Sequence, residues 1–153
     1  MQSITESVMK QFVLICLMCF SIDFVFSQES KNEPKSSVEK FTIDNCVNSF
    51  DMEETVKTKV GYQYWFADKD FLDGRTLKLS VVAPKMATHE PHRHKEDEFF
   101  FVLEGTAEFF LDGDTRVAGP YTSFYCPPNS LHGIRNVGDT ELKYLVIKKY
   151  NQN

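Results

Sequence analysis

Residues 89 to 105 read His89-Glu90-Pro91-His92-Arg93-His94-Lys95-Glu96-Asp97-Glu98-Phe99-Phe100-Phe101-Val102-Leu103-Glu104-Gly105. Within residues 89–98, three of the chain's four histidines stand beside four carboxylates, and an apolar run follows at once. Glu98 to Leu103 is apolar at both parities after its first residue, which predicts a strand buried on both faces and stopped at Gly105.

The same short units recur downstream. Thr106 to Leu111 and Thr115 to Ala118 flank Asp112-Gly113, a strong hairpin signal. Ser123 to Cys126 is closed by Pro127-Pro128, and Leu131 to Val137 and Leu142 to Tyr150 are separated by Gly138-Asp139. Upstream, Thr76 to Ala83 alternates, with Leu77, Leu79 and Val81 on one face and Lys78 and Ser80 on the other, so it reads as a half-buried strand. Tyr62 to Phe66 is strand-like, Asp68 to Gly74 reads as a turn-rich loop, and Phe41 to Val60 carries no clear period. No long helical period and no internal repeat are found after the N-terminal stretch. The expected fold class is all-β, an antiparallel sandwich or barrel in a single domain.

Composition agrees with a packed domain. Of 153 residues 42% are hydrophobic, enough for a core, and the 14 Phe lie mostly in short strand-like runs. The net charge of -5 argues against a nucleic-acid partner, which needs a basic face. Gln11 to Ile22 is an apolar run of signal-peptide length, and Asp23 breaks it short of a membrane span. Residues 1–27 are therefore expected to be a signal peptide cleaved after Ser27, with a start at Met9 giving a more conventional leader. The mature protein is expected to be exported, periplasmic or secreted, with no stable membrane span. Residues 28–40 read as a flexible polar linker and 41–150 as the barrel domain. Cleavage leaves Cys46 and Cys126, either as a disulfide or as two free thiols.

Strand parity sorts the histidine cluster. His92 and His94 are two apart, so in extended chain both imidazoles face one point. Glu98 shares their parity; Asp97 does not, and Glu96 is expected on a bend. His132 enters a strand after the turn Pro127-Pro128-Asn129-Ser130, and an antiparallel barrel can lay that strand beside the first. A histidine patch can also be mere solvated surface. Against that stand the His-x-His spacing, the carboxylate at a fixed offset, the buried strand after it and the lone histidine in a turn-strand motif. The expected ligands are His92, His94, Glu98 and His132. A mixed N/O set suits one divalent transition ion (Fe, Mn, Ni, Cu, Co or Zn) and differs from the thiolate-rich sets of closed structural zinc sites. His89, after which Pro91 intervenes, is expected at the pocket rim or surface.

These residues resemble the cupin superfamily of small jelly-roll barrels. His92, His94, Glu98 and Gly105 fit its first motif, and Pro127, His132 and Asn136 its second. Met86 stands where the first motif has Gly, Asn129 replaces a Gly of the second, and Gly119 precedes Pro127 by eight positions rather than six. These departures touch loop geometry and leave all four ligand positions filled. The resemblance runs from about Leu77 to Lys148, the motif core (77–148), and is to the small single-domain cupins. It implies a jelly-roll barrel and a homodimer. The outward set Phe99, Phe101 and Leu103 fits a covered surface, supplied by a partner or by the chain's own segment from Phe41 to Phe66.

By parity, Phe100, Val102, Ile134 and Asn136 are expected to line a mostly apolar substrate pocket beside the metal, suited to a small aromatic or apolar molecule. No catalytic residue is assigned; Glu98, Glu90 and Tyr125 are the nearest candidates for proton transfer. The favoured expectation is an oxygen-dependent, dioxygenase-like metalloenzyme. The alternatives are a redox-neutral isomerase, lyase or hydrolase, and a non-catalytic small-ligand-binding module.

Overall fold

The computed structural model describes residues 41–151 apart from residue 73; the expected signal peptide and linker lie outside the described residues. A single helical turn, α1 (Ile43–Cys46), is followed by nine strands. These are β1 (Val56–Thr58), β2 (Gly61–Leu72), β3 (Arg75–Val82), β4 (Glu98–Glu104), β5 (Ala107–Leu111), β6 (Asp114–Ala118), β7 (Ser123–Cys126), β8 (His132–Asn136) and β9 (Leu142–Lys149). They form a six-stranded sheet in the order β1-β2-β3-β9-β4-β7 and a three-stranded sheet in the order β6-β5-β8. Every pairing is antiparallel, giving the two facing sheets of a cupin-type jelly roll. No described helix is long and apolar enough to cross a membrane.

The core lies between the sheets. Phe100, Val102, Leu142, Tyr144 and Val146 from the large sheet meet Ala107, Phe109 and Ile134 from the small one. Burying each large apolar side chain contributes about 1.5–3 kcal/mol, so this layer is the main source of stability.

β4 differs from its expectation. Glu98, Phe100 and Val102 are buried, but Phe99 is 44% exposed and stacks on Tyr125 at 4.9 Å. Only the inward parity faces the second sheet, so the strand alternates despite its continuous apolar sequence. Leu103 packs with Tyr64, Leu79 and Val81 in a second cluster on the outer face of the large sheet. The chain's own N-terminal segment borders that cluster: Tyr64 Oη donates to Asn48 Oδ1 (2.9 Å) and to Ser49 O (2.8 Å), and Phe50 meets the Tyr64 ring edge-on.

β3 uses both of its faces. Leu79 and Val81 are buried in the outer cluster, whereas Thr76, Ser80 and Val82 are buried between the sheets. The polar side of this strand is therefore its inward side. The expected loop from Asp68 is instead strand as far as Leu72, where β2 pairs with β3 through register shifts between Trp65 and Ala67 and between Ala67 and Leu72. Such bulges let an exposed, charged edge stay extended, which masks it in the sequence pattern. Cys46 is exposed and Cys126 buried, and both are free thiols, which decides between the two expectations for them.

Gly105 closes β4 at φ +86°, and a Cβ there would sit 2.5 Å from Glu141 O and 2.9 Å from Leu142 Cα. Gly105→Ala is expected to lower unfolding stability by about 2 kcal/mol or more, through backbone strain plus a backbone clash. Urea unfolding followed by circular dichroism measures this, and an unchanged midpoint would contradict it.

Candidate metal centre

Two stretches far apart in sequence are joined by a reciprocal backbone pair. His92 N donates to His132 O and His132 N to His92 O, each at 3.0 Å, forming an isolated antiparallel bridge. The turn before β8 adds a second clamp, with Asn129 N donating to His94 O at 2.8 Å and Arg93 Nη1 to Asn129 O at 2.6 Å. Asn129 adopts φ +61°, the left-handed conformation that Asn tolerates better than most residues.

Within this frame His92, His94, Glu98 and His132 each turn one ligand atom to a common point, and these atoms all lie within 4.8 Å of one another. Backbone carbonyls only accept hydrogen bonds, so His94 Nδ1 donates to Glu96 O (2.7 Å) and His132 Nδ1 to Ser130 O (2.9 Å). Each ring is thereby held with its Nε2 lone pair toward the centre, the outer-shell arrangement that metal-ligating histidines use.

The polar atoms at the centre fit a cation. His92 Nδ1 and His94 Nε2 are buried without a hydrogen-bond partner among the described residues. His132 is fully buried, and its Nε2 lies 3.0 Å from Glu98 Oε1. With His132 Nδ1 carrying the proton, that contact sets two acceptors face to face, which repel unless a proton or a metal ion lies between them. The His92 pKa is held below its ordinary value of 6.5, first by burial, then by the His89, His132 and His94 rings, with Glu98 opposing. The neutral imidazole that ligation requires is therefore favoured.

The other expected residues are placed as follows. Glu96 supplies a carbonyl to His94, and its carboxylate reaches Lys148 Nζ only at 3.9 Å, outside the four-residue cluster. Asp97 Oδ2 accepts from the Tyr125 hydroxyl on the outer face, which removes Tyr125 from the site. His89 is exposed, edge-on to His92 at 4.3 Å between ring centroids. Cys126 is the cross-strand neighbour of Glu98; burial, and then the Glu98 carboxylate, push its thiol pKa well up, so it stays protonated.

Beside the cluster is a cavity of about 440 Å³ bordered by His92, Glu98 and Phe100, with His89 on its wall. Of the expected pocket residues only Phe100 borders it. Val102 is fully buried in the core one pleat beyond Phe100, and Ile134 borders a separate depression with Phe110 and Arg135, as does Glu90. Asn136 is tied into the chain instead. Its Nδ2 donates to Val82 O (3.0 Å) and Thr140 O (2.7 Å), and its Oδ1 accepts from Gly138 N (2.9 Å).

The cavity also differs in character from the apolar pocket expected. Lys59, Lys78 and Lys148 line it, together with Ser80, Thr88, Tyr144 and Tyr150. Burial pushes the Tyr144 pKa up, against hydrogen bonds to Thr88 and Ser80, so its hydroxyl keeps its proton. Lys78 and Lys148 were legible only through parity: they continue the inward rows of Ser80 on β3 and of Tyr144 and Val146 on β9.

The two antiparallel sheets thus enclose three imidazoles and one carboxylate that could hold a metal ion. Residues 78–148 match the Cupin_2 family, the Cupin domain. The chain is 35% identical over 77 residues to the H2HPP isomerase of Bacillus subtilis, a match covering 50% of this chain and 33% of that protein. It is 34% identical over 56 residues to the 5-nitrosalicylic acid 1,2-dioxygenase of a Bradyrhizobium species, covering 37% of this chain and 27% of that protein. Both matches thus span a third or less of the relative's length. Among solved structures, a Cupin 2 conserved barrel domain protein from Salinispora arenicola superposes with a TM-score of 0.57 at 21% identity, covering 68% of this chain and 87% of that one.

Glu98→Gln and His132→Ala are expected to reduce bound metal by about tenfold or more, with the barrel's β circular dichroism retained. Elemental analysis of purified protein checks this, and undiminished metal in both variants would contradict the assignment. The depressed His92 pKa also sets a sign: the neutral ring is retained above pH 6.5 and lost as pH falls through the lowered value. Metal is therefore expected to be released on acidification and not on raising the pH, as followed by a chromogenic chelator.

Proposed function

We propose that this protein is a metal-dependent enzyme acting on a small organic molecule, and that its chemistry consumes dioxygen. The observation that carries the reading is the convergence of His92, His94, Glu98 and His132 beside an accessible cavity, which leaves room for a reactant. When bound, the metal supplies Lewis-acid and oxygen-activating chemistry.

The protein's own residues hold and orient the reactant. Phe100 and Val146 give the cavity an apolar wall for an aromatic or aliphatic body. Tyr144 Oη, kept protonated by burial, offers a hydrogen bond to a substrate oxygen. His89 stands at the wall next to His92, placed to exchange protons with solvent.

The similarity to a salicylate-class dioxygenase supports the oxygen-dependent reading. The similarity to an isomerase supports a second one, redox-neutral catalysis by the same ligand set. A non-catalytic binding module fits less well, because it has no need of all four ligand positions.

Iron-loaded protein is expected to consume oxygen with some member of a panel of substituted salicylates and phenols, and His92→Ala to slow uptake by about a hundredfold or more. An oxygen electrode measures it. Turnover that persists under anaerobic conditions would transfer the assignment to the redox-neutral reading.

A further inference from the structure

The cavity beside the metal centre carries an excess of positive charge that the metal chemistry alone does not explain. Three lysines line it, Lys59, Lys78 and Lys148, against one carboxylate, Glu98. Glu98 already faces His132 and His94. The chain as a whole has a net charge of -5, so the cationic lining runs against the protein's overall composition.

Two of these lysines are built into the barrel wall rather than draped over it. Lys78 of β3 lies opposite Val146 of β9, which lies opposite Phe100 of β4, all facing inward. Lys148 of β9 lies opposite Glu98 in the adjacent inward row, and its side chain is only 9% exposed. Its nearest ion-pair partner, Glu96 Oε2, is at 3.9 Å, the limit of such a contact. Among the described residues Lys78 forms no salt bridge; its ammonium lies over the Trp65 ring, 4.9 Å from the centroid. Burial lowers the Lys78 pKa and Lys148 lowers it further, with Glu98 opposing, so a counter-anion would stabilise the charged form. Lysines held in a low-dielectric wall without matching carboxylates are costly unless a ligand supplies the missing charge. A bound divalent metal would add two more positive charges to the same space.

We propose that the cavity takes a carboxylate-bearing substrate, whose carboxylate is held by Lys78 and Lys148 while its apolar body lies against Phe100 and Val146. This rests on the metal-enzyme reading for its catalytic consequence, but the anion subsite is a property of the lysines themselves. A carboxylate is favoured over a phosphate because the lining contains no arginine and no helix N-terminus, the usual partners of a phosphate group. Lysine offers a compact point charge suited to a single carboxylate.

The test is calorimetric titration of metal-loaded protein with benzoate, its neutral isostere benzamide, and inorganic phosphate. Benzoate is expected to bind at least about tenfold more tightly than benzamide or phosphate. Lys78→Met is expected to weaken benzoate about tenfold while leaving bound metal unchanged, and Lys78→Arg to restore most of the affinity. Equal binding of benzoate and benzamide, tighter binding of phosphate, no benzoate binding at millimolar concentration, or an unaltered Lys78→Met would each overturn the proposal. Benzoate selectivity without oxygen uptake or turnover would leave the subsite standing and remove the enzyme reading. Normal metal content and turnover without benzoate selectivity would do the reverse.

Discussion

Two backbone hydrogen bonds between His92 and His132 carry the site. They pair a loop residue with the first residue of β8, forty positions on (132 − 92 = 40). Without that pairing the His-x-His stretch is a short exposed loop flanked by charges. With it, two imidazoles are held side by side with ring centroids 5.0 Å apart, and Asn129 N on His94 O fixes the third. Glu98 arrives from β4, held by β7 on one side and β9 on the other. The ligand geometry is thus set by main-chain pairing, which is stiff, and the side chains need little freedom to converge. Carbonyl acceptors from Ser130 and Glu96 then settle which ring nitrogen is free.

The surrounding barrel divides its apolar residues between two layers, and this governs what kind of cavity the site has. Leu79 and Val81 pack outward with Tyr64, bordered by Asn48, Ser49 and Phe50. That packing leaves the inward side of β3 to Thr76, Lys78 and Ser80. A strand whose apolar face is covered from outside can present polar groups inward without losing its hydrophobic stabilisation. The interior therefore acquires an apolar end, filled by Val102, Phe109 and Ile134, and a polar end beside the metal centre. The candidate metal centre and the main apolar packing thus lie at opposite ends of the same space.

This partition bears on the chemistry. A cavity flanked by hydrophobic walls strengthens the field of any charge inside it. Burial keeps His92 neutral and Tyr144 protonated and holds the Lys78 pKa below its ordinary value, while Lys59, Lys78 and Lys148 line the same cavity. Together they form an environment that favours negative charge on whatever occupies it, close to where a metal would polarise it. Asn136, by contrast, is tied to the main chain, both amide hydrogens going to Val82 O and Thr140 O and its oxygen accepting from Gly138 N. Its place in the motif reflects the joining of β8 to the loop before β9, and not a role toward substrate.

Much of this was legible in the sequence because strand parity is local. A period of two predicts one face for His92, His94 and Glu98 in extended chain, although the chain bends at residues 95–96 and Glu98 joins the histidines across that bend, and Asn129 declares a left-handed turn by its own chemistry. Turn residues delimited most strands for the same reason, while the bulged, charged end of β2 escaped because its alternation is broken. Parity does not say which side is inside. That depends on which segments cover each face, and it was decided only by the pairing of β3 with β9 and by the packing of outer-face residues around Tyr64. The same long-range pairing puts Lys78 and Lys148 on one wall, 70 positions apart (148 − 78 = 70), and turns an expected apolar pocket into a cationic one. The sequence by itself determined most of the strands and which side chains are candidate metal ligands, because residue type and spacing are local, while their convergence rests on the pairing of residues 92 and 132. The tertiary structure decided the charge and shape of the space beside them, because those depend on residues that meet only when the sheets close.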